Sequence, residues 1–310
     1  MRRIKTPQGI KLHYQDEGDK KSPVVILIMG LGAQMTVWPD TLYYGLVKKG
    51  FRVIRFDNRD TGFSTHLDYY TSPNLFKSWL SKRFPIRTKT PYLLDDMADD
   101  VLSLMAALKI KKAHMVGASM GGMIAQLIAA QHKKKVISLS TIMSCSSLPR
   151  LSAKSIGVFI KLAKLQPKTC SREEAINYNI RLNQIIGSPA YPQTEDVLRH
   201  HATQIVDRAH NPNGYKRQLT AMAASKDRLH LIRKIKAPTL IIHGSDDVVI
   251  PLNASKKTAA LIKKSKLKVV PGMGHNFAPE LMPKMTKWLT KHIKKAQRKH
   301  LNKKQNKQKR

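Results

Sequence analysis

Residues 115–124 read MVGASMGGMI. One polar residue, Ser119, stands among glycines, with apolar residues running in on one side and out on the other. Ala113 to Val116 has the pattern of a buried strand, and the stretch that continues through Ala130 has that of a helix. Gly117-Ala118-Ser119-Met120-Gly121 therefore falls at a strand-to-helix turn, the setting in which G-x-S-x-G carries chemical meaning. A serine at the tip of such a turn has its hydroxyl exposed. A side chain at 117 or 121 would crowd the approach of strand and helix, so glycine is used at both. The helix N-terminus adds unpaired N–H groups and a positive dipole end, which favour negative charge developing on a bound oxygen. The bare pattern arises by chance in about a few per cent of chains this long. On a buried strand that enters a helix, chance is a much poorer explanation.

A serine hydroxyl is a poor nucleophile until a base takes its proton. This reading therefore requires an acid and a histidine, in the chain order Ser…Asp/Glu…His. Residues 243–251, HGSDDVVIP, follow a buried strand and place Asp246 and Asp247 at its C-terminal end, the edge where open parallel sheets hold ligands. One of the two faces the histidine and the other makes the turn; Asp247 is favoured. Residues 271–277, PGMGHNF, follow the last strand and carry His275 in a glycine-containing loop that lets an imidazole reach in. Of the 12 histidines, His132, His200, His201, His292 and His300 lie in basic or helical surroundings and read as surface residues. His243, at a strand end, reads as structural.

Strand patterns at 10–15, 24–29, 52–56, 113–116, 136–142, 239–243 and 266–270 alternate with helical patterns at 38–49, 93–108, 253–264 and 281–293. That alternation predicts a mostly parallel sheet with helices on both faces. Residues 147–235 break it with helical spacing, no clear strand and prolines at 167, 192 and 212. The expected organisation is a core of 1–146 and 236–292, a helical lid of 147–235 over one edge of the sheet, and a basic tail of 293–310. Ile156, Phe159, Ile160, Leu219 and Met222 either line a pocket or form the lid's own core, with the core as the default. Asp57, Arg59 and Asp60 read as an internal Arg–Asp network. Asp95, Asp96, Asp99 and Asp100 read as a solvated helix face with acidic first turns, since nothing shows metal-ligand clustering.

The chain has 310 residues and carries 56 Lys+Arg against 20 Asp+Glu, a net charge of +36. Such a balance predicts attraction to polyanions, and a polyanion-binding or ligand-sensing protein with little turnover is the rival reading. Residues 291–310 hold 10 Lys/Arg, no acid and no aromatic, so base stacking has no partner there. Cys145 and Cys170 form no CxxC pair, so no zinc or redox motif is visible, and the low count suggests reduced thiols and a cytoplasmic protein. No apolar h-region follows Met1, and no apolar run approaches 18 residues, so neither a signal peptide nor a transmembrane helix is expected.

The motifs GASMGG, IHGSDDVVIP and GMGHNF, in this order, resemble the α/β-hydrolase superfamily. The resemblance runs from about residue 9 to 292. The loop RFDNRDTGFST and the segment NPNGYKRQLTAMAASKDR are similar to the esterase branch that includes aclacinomycin methylesterase. It implies an eight-stranded, mostly parallel sheet with a helical lid insertion, and a serine hydrolase acting on a small-molecule carboxylic ester. It implies Ser119 as nucleophile, Asp247 as acid and His275 as base, with no cofactor or metal. It also implies an oxyanion hole from the backbone N–H groups of Leu31 and Met120. Many relatives have histidine where this chain has Met29; because the donor is backbone, the hole is expected to survive.

Overall fold

A computed structural model describes residues 2–70, 90–147 and 171–308, together with 157 and 161. The strands are β1 (Arg2–Lys5), β2 (Lys11–Glu17), β3 (Val24–Ile28), β4 (Arg52–Phe56), β5 (Ala113–Ala118), β6 (Val136–Ile142), β7 (Thr239–Gly244) and β8 (Ser265–Val270). They form one eight-stranded sheet in the order β1-β2-β4-β3-β5-β6-β7-β8. β1, β2 and β4 pair antiparallel, and from β4 onward every pairing is parallel. A parallel run brings the C-terminal ends of β3, β5, β7 and β8 to one edge, where the Ser119, Asp247 and His275 loops begin.

The helices are α1 (Asp40–Lys48), α2 (Leu94–Ala107), α3 (Met120–Gln131), α4 (Arg172–Ile186), α5 (Glu195–Arg208), α6 (Pro212–Ala224), α7 (Leu229–Ile232), α8 (Leu252–Leu261) and α9 (Met282–Gln308). The alternation of side chains along β3 explains the layering. Ile26 and Ile28 face a core shared with Leu94, Met97 and Val101 of α2 and Ile124 and Ile128 of α3. Val25 and Leu27 face the opposite core, shared with Leu42 and Leu46 of α1 and Met285, Leu289 and Ile293 of α9. A strand buried on both faces reads as a continuous apolar run, as VVILI does. α4 to α7 lie in the chain between β6 and β7. The first two pack on each other through Ala175, Ile176, Ile180, Leu198, Ala202 and Val206. Met222 of α6 packs against the main core and not in a core of the lid's own; Ile156, Phe159 and Ile160 lie outside the described residues.

Two expectations about the first strand and the last helix need correction. The alternation at 10–15, which suits an exposed edge strand, marks β2, and β2 is not the edge, because the short strand β1 pairs outside it. β1 is RRIK, mostly exposed, and its charges keep the sheet edge from pairing with another chain. The last helix does not stop near 293; it continues as one helix to Gln308. Lys, Arg, Gln and Ala are good helix formers, and no Gly or Pro interrupts 291–308. Ile293 and Ala296 are still buried, whereas Leu301 is exposed, so the last two turns leave the body. Among the described residues, no helix is long and apolar enough to cross a membrane.

His114 on β5 is buried, with Nδ1 2.7 Å from Ser138 Oγ and Nε2 3.1 Å from Gln297 Oε1. The amide oxygen only accepts, so Nε2 carries the proton and Nδ1 accepts from the serine hydroxyl, a neutral ring with both nitrogens satisfied. Burial pushes this imidazole down to about 4. The unfolded chain takes up a proton near pH 6.5 and the folded chain does not, so stability falls as pH drops through the window from about 6.5 to 4. The loss reaches about 3 kcal/mol below that window. Urea denaturation at pH 7 and at pH 4.5 checks this: His114→Gln is expected to lose less stability between the two than the parent chain.

Candidate active site

Ser119 sits between β5 and α3 with φ 51° and ψ −119°, a left-handed conformation for a residue with a Cβ. A Cβ on Gly117 would strike the Gly121 carbonyl, and one on Gly121 would strike the Ile28 carbonyl at the end of β3. Three stretches of backbone thus meet where only glycine fits, and the chain can turn from strand to helix only through the strained serine. Its backbone is held on both sides. Ser119 N–H donates to Ile142 O at 2.9 Å, and Ser144 Oγ donates to Ser119 O at 2.7 Å.

The loops after β7 and β8 deliver the other two residues. His275 Nδ1 lies 2.7 Å from Asp247 Oδ2, and His275 Nε2 lies 3.0 Å from Ser119 Oγ. An ionised carboxylate can only accept, so the Asp247 contact places the ring proton on Nδ1 and leaves the Nε2 lone pair facing the serine hydroxyl. Asp247 is buried, and its Oδ1 accepts from Val249 N–H at 2.9 Å and Ile250 N–H at 2.7 Å. Asp246 is exposed and accepts from Ser245 Oγ. The structure therefore brings Asp247 rather than Asp246 to the histidine. His243 is buried, donates from Nε2 to Ile250 O at 2.8 Å and approaches Ser255 Oγ through Nδ1. Burial holds its pKa below the ordinary histidine value, so it stands as a neutral strut 3.4 Å from Asp247 Oδ2.

Gly30 packs against Ser119, close enough that a Cβ there would lie 3.1 Å from Ser119 Cβ. Leu31 follows it, and Met120 follows Ser119. Neither the Leu31 nor the Met120 N–H has a protein acceptor among the described residues. The loop that carries Met29 is fixed by Asn58, whose Nδ2 donates to Met29 O at 3.0 Å. Among the described residues, no group of three or more His, Cys, Asp or Glu is placed to hold a metal ion.

A family model described as alpha/beta hydrolase fold matches residues 23–280. The chain belongs to the alpha/beta hydrolase fold family. It is 26% identical over 284 residues to the bifunctional esterase/perhydrolase DCH of Acinetobacter calcoaceticus, covering 88% of this chain and 92% of that one. It is 29% identical over 141 residues to the rhodomycin D methylesterase DauP of Streptomyces sp. (strain C5), covering 46% and 41%. Among solved structures, the enol-lactonase from Burkholderia xenovorans LB400 superposes with a TM-score of 0.75 at 20% identity, covering 94% of this chain and all of that one.

Within this alpha/beta hydrolase, several residues around the serine escape the sequence motifs. His275 N–H donates to Ile186 O at the end of α4, at 2.7 Å, and Gly274 N–H donates to Ser188 Oγ at 2.9 Å. The His275 loop is thus fastened to the helices that follow β6. Asp57, Arg59 and Asp60 of the loop after β4 do enter Arg–Asp pairs, but with partners outside the loop and not with one another. Arg59 binds Asp100 through two nitrogens, at 2.6 and 2.8 Å. Asp100 is accordingly buried and paired, whereas the sequence pattern predicts a solvated residue. Asp60 receives Arg217 at 2.7 Å and Tyr92 OH at 2.7 Å, and Asp57 receives Arg208 at 2.7 Å. A long-range bidentate pair leaves no local sequence signal, which is why Arg208 and Arg217 go unnoticed in the sequence.

The close packing at the turn gives a direct test. Gly121→Ala must push Ile28 and Met29 carbonyls aside, and is expected to destabilise the fold by about 2 kcal/mol. A urea midpoint shift checks this, and an unchanged midpoint would show that the turn has room the structure does not display.

Proposed function

We propose that the chain is a serine hydrolase that cleaves carboxylic esters by two-step acyl transfer. The observation that carries this reading is the continuous contact Asp247–His275–Ser119, built on a serine held in a strained positive-φ turn. The named relatives, an esterase/perhydrolase and a methylesterase, support the ester as the substrate class.

The steps follow from the geometry. His275 Nε2 takes the Ser119 proton as Oγ attacks the ester carbonyl carbon. Charge moves to the carbonyl oxygen, which the backbone N–H groups of Leu31 and Met120 stabilise. His275 then returns the proton to the leaving alkoxide, releasing an alcohol. Water, deprotonated by the same nitrogen, attacks the acyl-enzyme, and Ser119 leaves with its proton restored. Asp247 holds the imidazole in the tautomer that accepts from serine and stabilises the imidazolium formed in each half. The domain reading joins this proposal: 1–146 and 236–292 form the catalytic core, 147–235 the lid that shapes the ester pocket, and 293–310 the basic C-terminal segment.

Hydrolysis of a series of p-nitrophenyl and methyl esters of graded size tests the reaction. Ser119→Ala and His275→Ala are each expected to lower kcat by about 10⁴-fold, and Asp247→Asn by roughly 10³- to 10⁴-fold, with KM changing far less. Full activity in Ser119→Ala would remove the nucleophile from this account.

A further inference from the structure

The loop that follows β3, residues 30–35, carries the Leu31 N–H, which has no protein acceptor among the described residues, yet its fastenings come from helices of the insertion. Gln218 of α6 is fully buried and uses its whole amide. Its Oε1 accepts from Gly32 N–H at 2.7 Å, and its Nε2 donates to Arg59 O and to Thr61 Oγ1, each at 2.7 Å. One side chain therefore joins the loop after β3 to the loop after β4. Tyr215, one turn earlier on α6, lies against Gly32, its ring 2.7 Å from where a Cβ would stand. The helix itself cannot slide. Its Arg217 is buried in a two-point pair with Asp60 and also reaches Asp68 at 2.7 Å.

A second fastening comes from α5. Gln34, also buried, donates from Nε2 to Ile205 O at 2.7 Å and Ala209 O at 2.8 Å, and Arg208 Nη1 donates to its Oε1. Arg208 meets Asp57, whose Oδ1 accepts from Met35 N–H at 2.8 Å. Residues 32, 34 and 35 are all fixed by side-chain bonds, while Leu31 between Gly30 and Gly32 makes none through its N–H among the described residues. The direction of that N–H is set by the peptides on either side.

We propose that Gln218 is a positioning residue for the oxyanion hole: by holding Gly32 N–H it aims the Leu31 N–H at the substrate oxygen, so that the hole is complete only with α6 seated on the core. This rests on the reading of Ser119 as nucleophile and Leu31 as oxyanion donor. A donor contributes to transition-state stabilisation only at hydrogen-bond distance from the oxyanion, and a small misplacement costs much of its effect. The glutamine touches neither substrate nor Ser119, so its effect falls on kcat and leaves ground-state binding nearly unchanged.

Gln218→Met keeps the shape and removes the three hydrogen bonds. Thr61→Val is milder, removing one anchor of the Gln218 amide and leaving Gly32 untouched. The measurements are kcat and KM per labelled serine, titrated with a fluorophosphonate carried to completion, and the Ki of a trifluoromethyl ketone matched to the ester. Gln218→Met is expected to lower kcat by about 10- to 100-fold with KM within about threefold, and to weaken the ketone by a matching factor. Thr61→Val should move both in the same direction by about threefold. A residue that only supports the fold would lower the melting temperature and the fraction of labelled sites while leaving kcat per site and ketone affinity intact; that result overturns the proposal. If Gln218→Met fails to fold, the outcome for Thr61→Val decides in the same terms. A parent chain that neither labels nor hydrolyses any ester overturns the reading of Ser119 and this proposal with it. An active parent with unchanged variants overturns this proposal alone.

Discussion

The backbone of α3 lies so close to the ends of β3 and β5 that no Cβ fits at position 117 or 121. Everything at the candidate site is arranged around that contact. The chain must reverse within one residue, and Ser119 adopts a positive φ to do so, a strain of about 1–3 kcal/mol that the surroundings must hold in place. They do so through the end of β6 and the residues after it: Ile142 accepts the serine N–H, and Ser144 binds the serine carbonyl. A hydroxyl on such a turn stands clear of the sheet. The parallel register then brings the β7 and β8 loops to the same edge, so one packing constraint fixes the place where three distant residues converge.

The insertion between β6 and β7 is part of this arrangement. Its helices supply the acceptor for the His275 amide, the partner of Gly32 and the cations that pair with Asp57 and Asp60. Asp57, Asp60 and Arg217 are buried, with Arg208 part-buried, and burial of the carboxylates makes the pairs unforgiving. Removing one partner leaves an uncompensated charge at a cost of about 3–5 kcal/mol, so a helix seated one turn out of place is strongly disfavoured. The chain carries an excess of cations, yet the arginines that matter here are held at fixed distances by specific aspartates. The excess lies elsewhere, much of it on α9, where Lys294 and Arg298 line a surface groove with Lys49.

What could be read in the sequence was local. GASMGG, HGSDDVVIP and PGMGHNF each combine a strand end with the loop that follows it, so strand pattern and motif identify both the residue and its place in the fold. The β3 run VVILI declared its two-sided burial. What could not be read was either short and charged, like β1, or made of contacts between residues far apart in the chain. Gln34 and Gln218 look like ordinary polar residues on a loop and a helix, and their partners are mostly backbone groups, which carry no sequence signal. Asp100 belongs to a run of acids that reads as solvated, and only the arrival of Arg59 from the loop after β4 reverses that. The choice between Asp246 and Asp247 rested on which carboxylate the turn buries, a question of backbone geometry that the sequence poses without answering.

The central claim is that the strained turn presents an activated serine to solvent-borne electrophiles. Peptide mapping by mass spectrometry after brief exposure to a fluorophosphonate at neutral pH tests it most directly. A single phosphonyl adduct is expected, located on Ser119, formed rapidly in the native chain and absent after denaturation in urea. A native chain that stays unmodified, or one modified on another serine while Ser119 remains free, would contradict it.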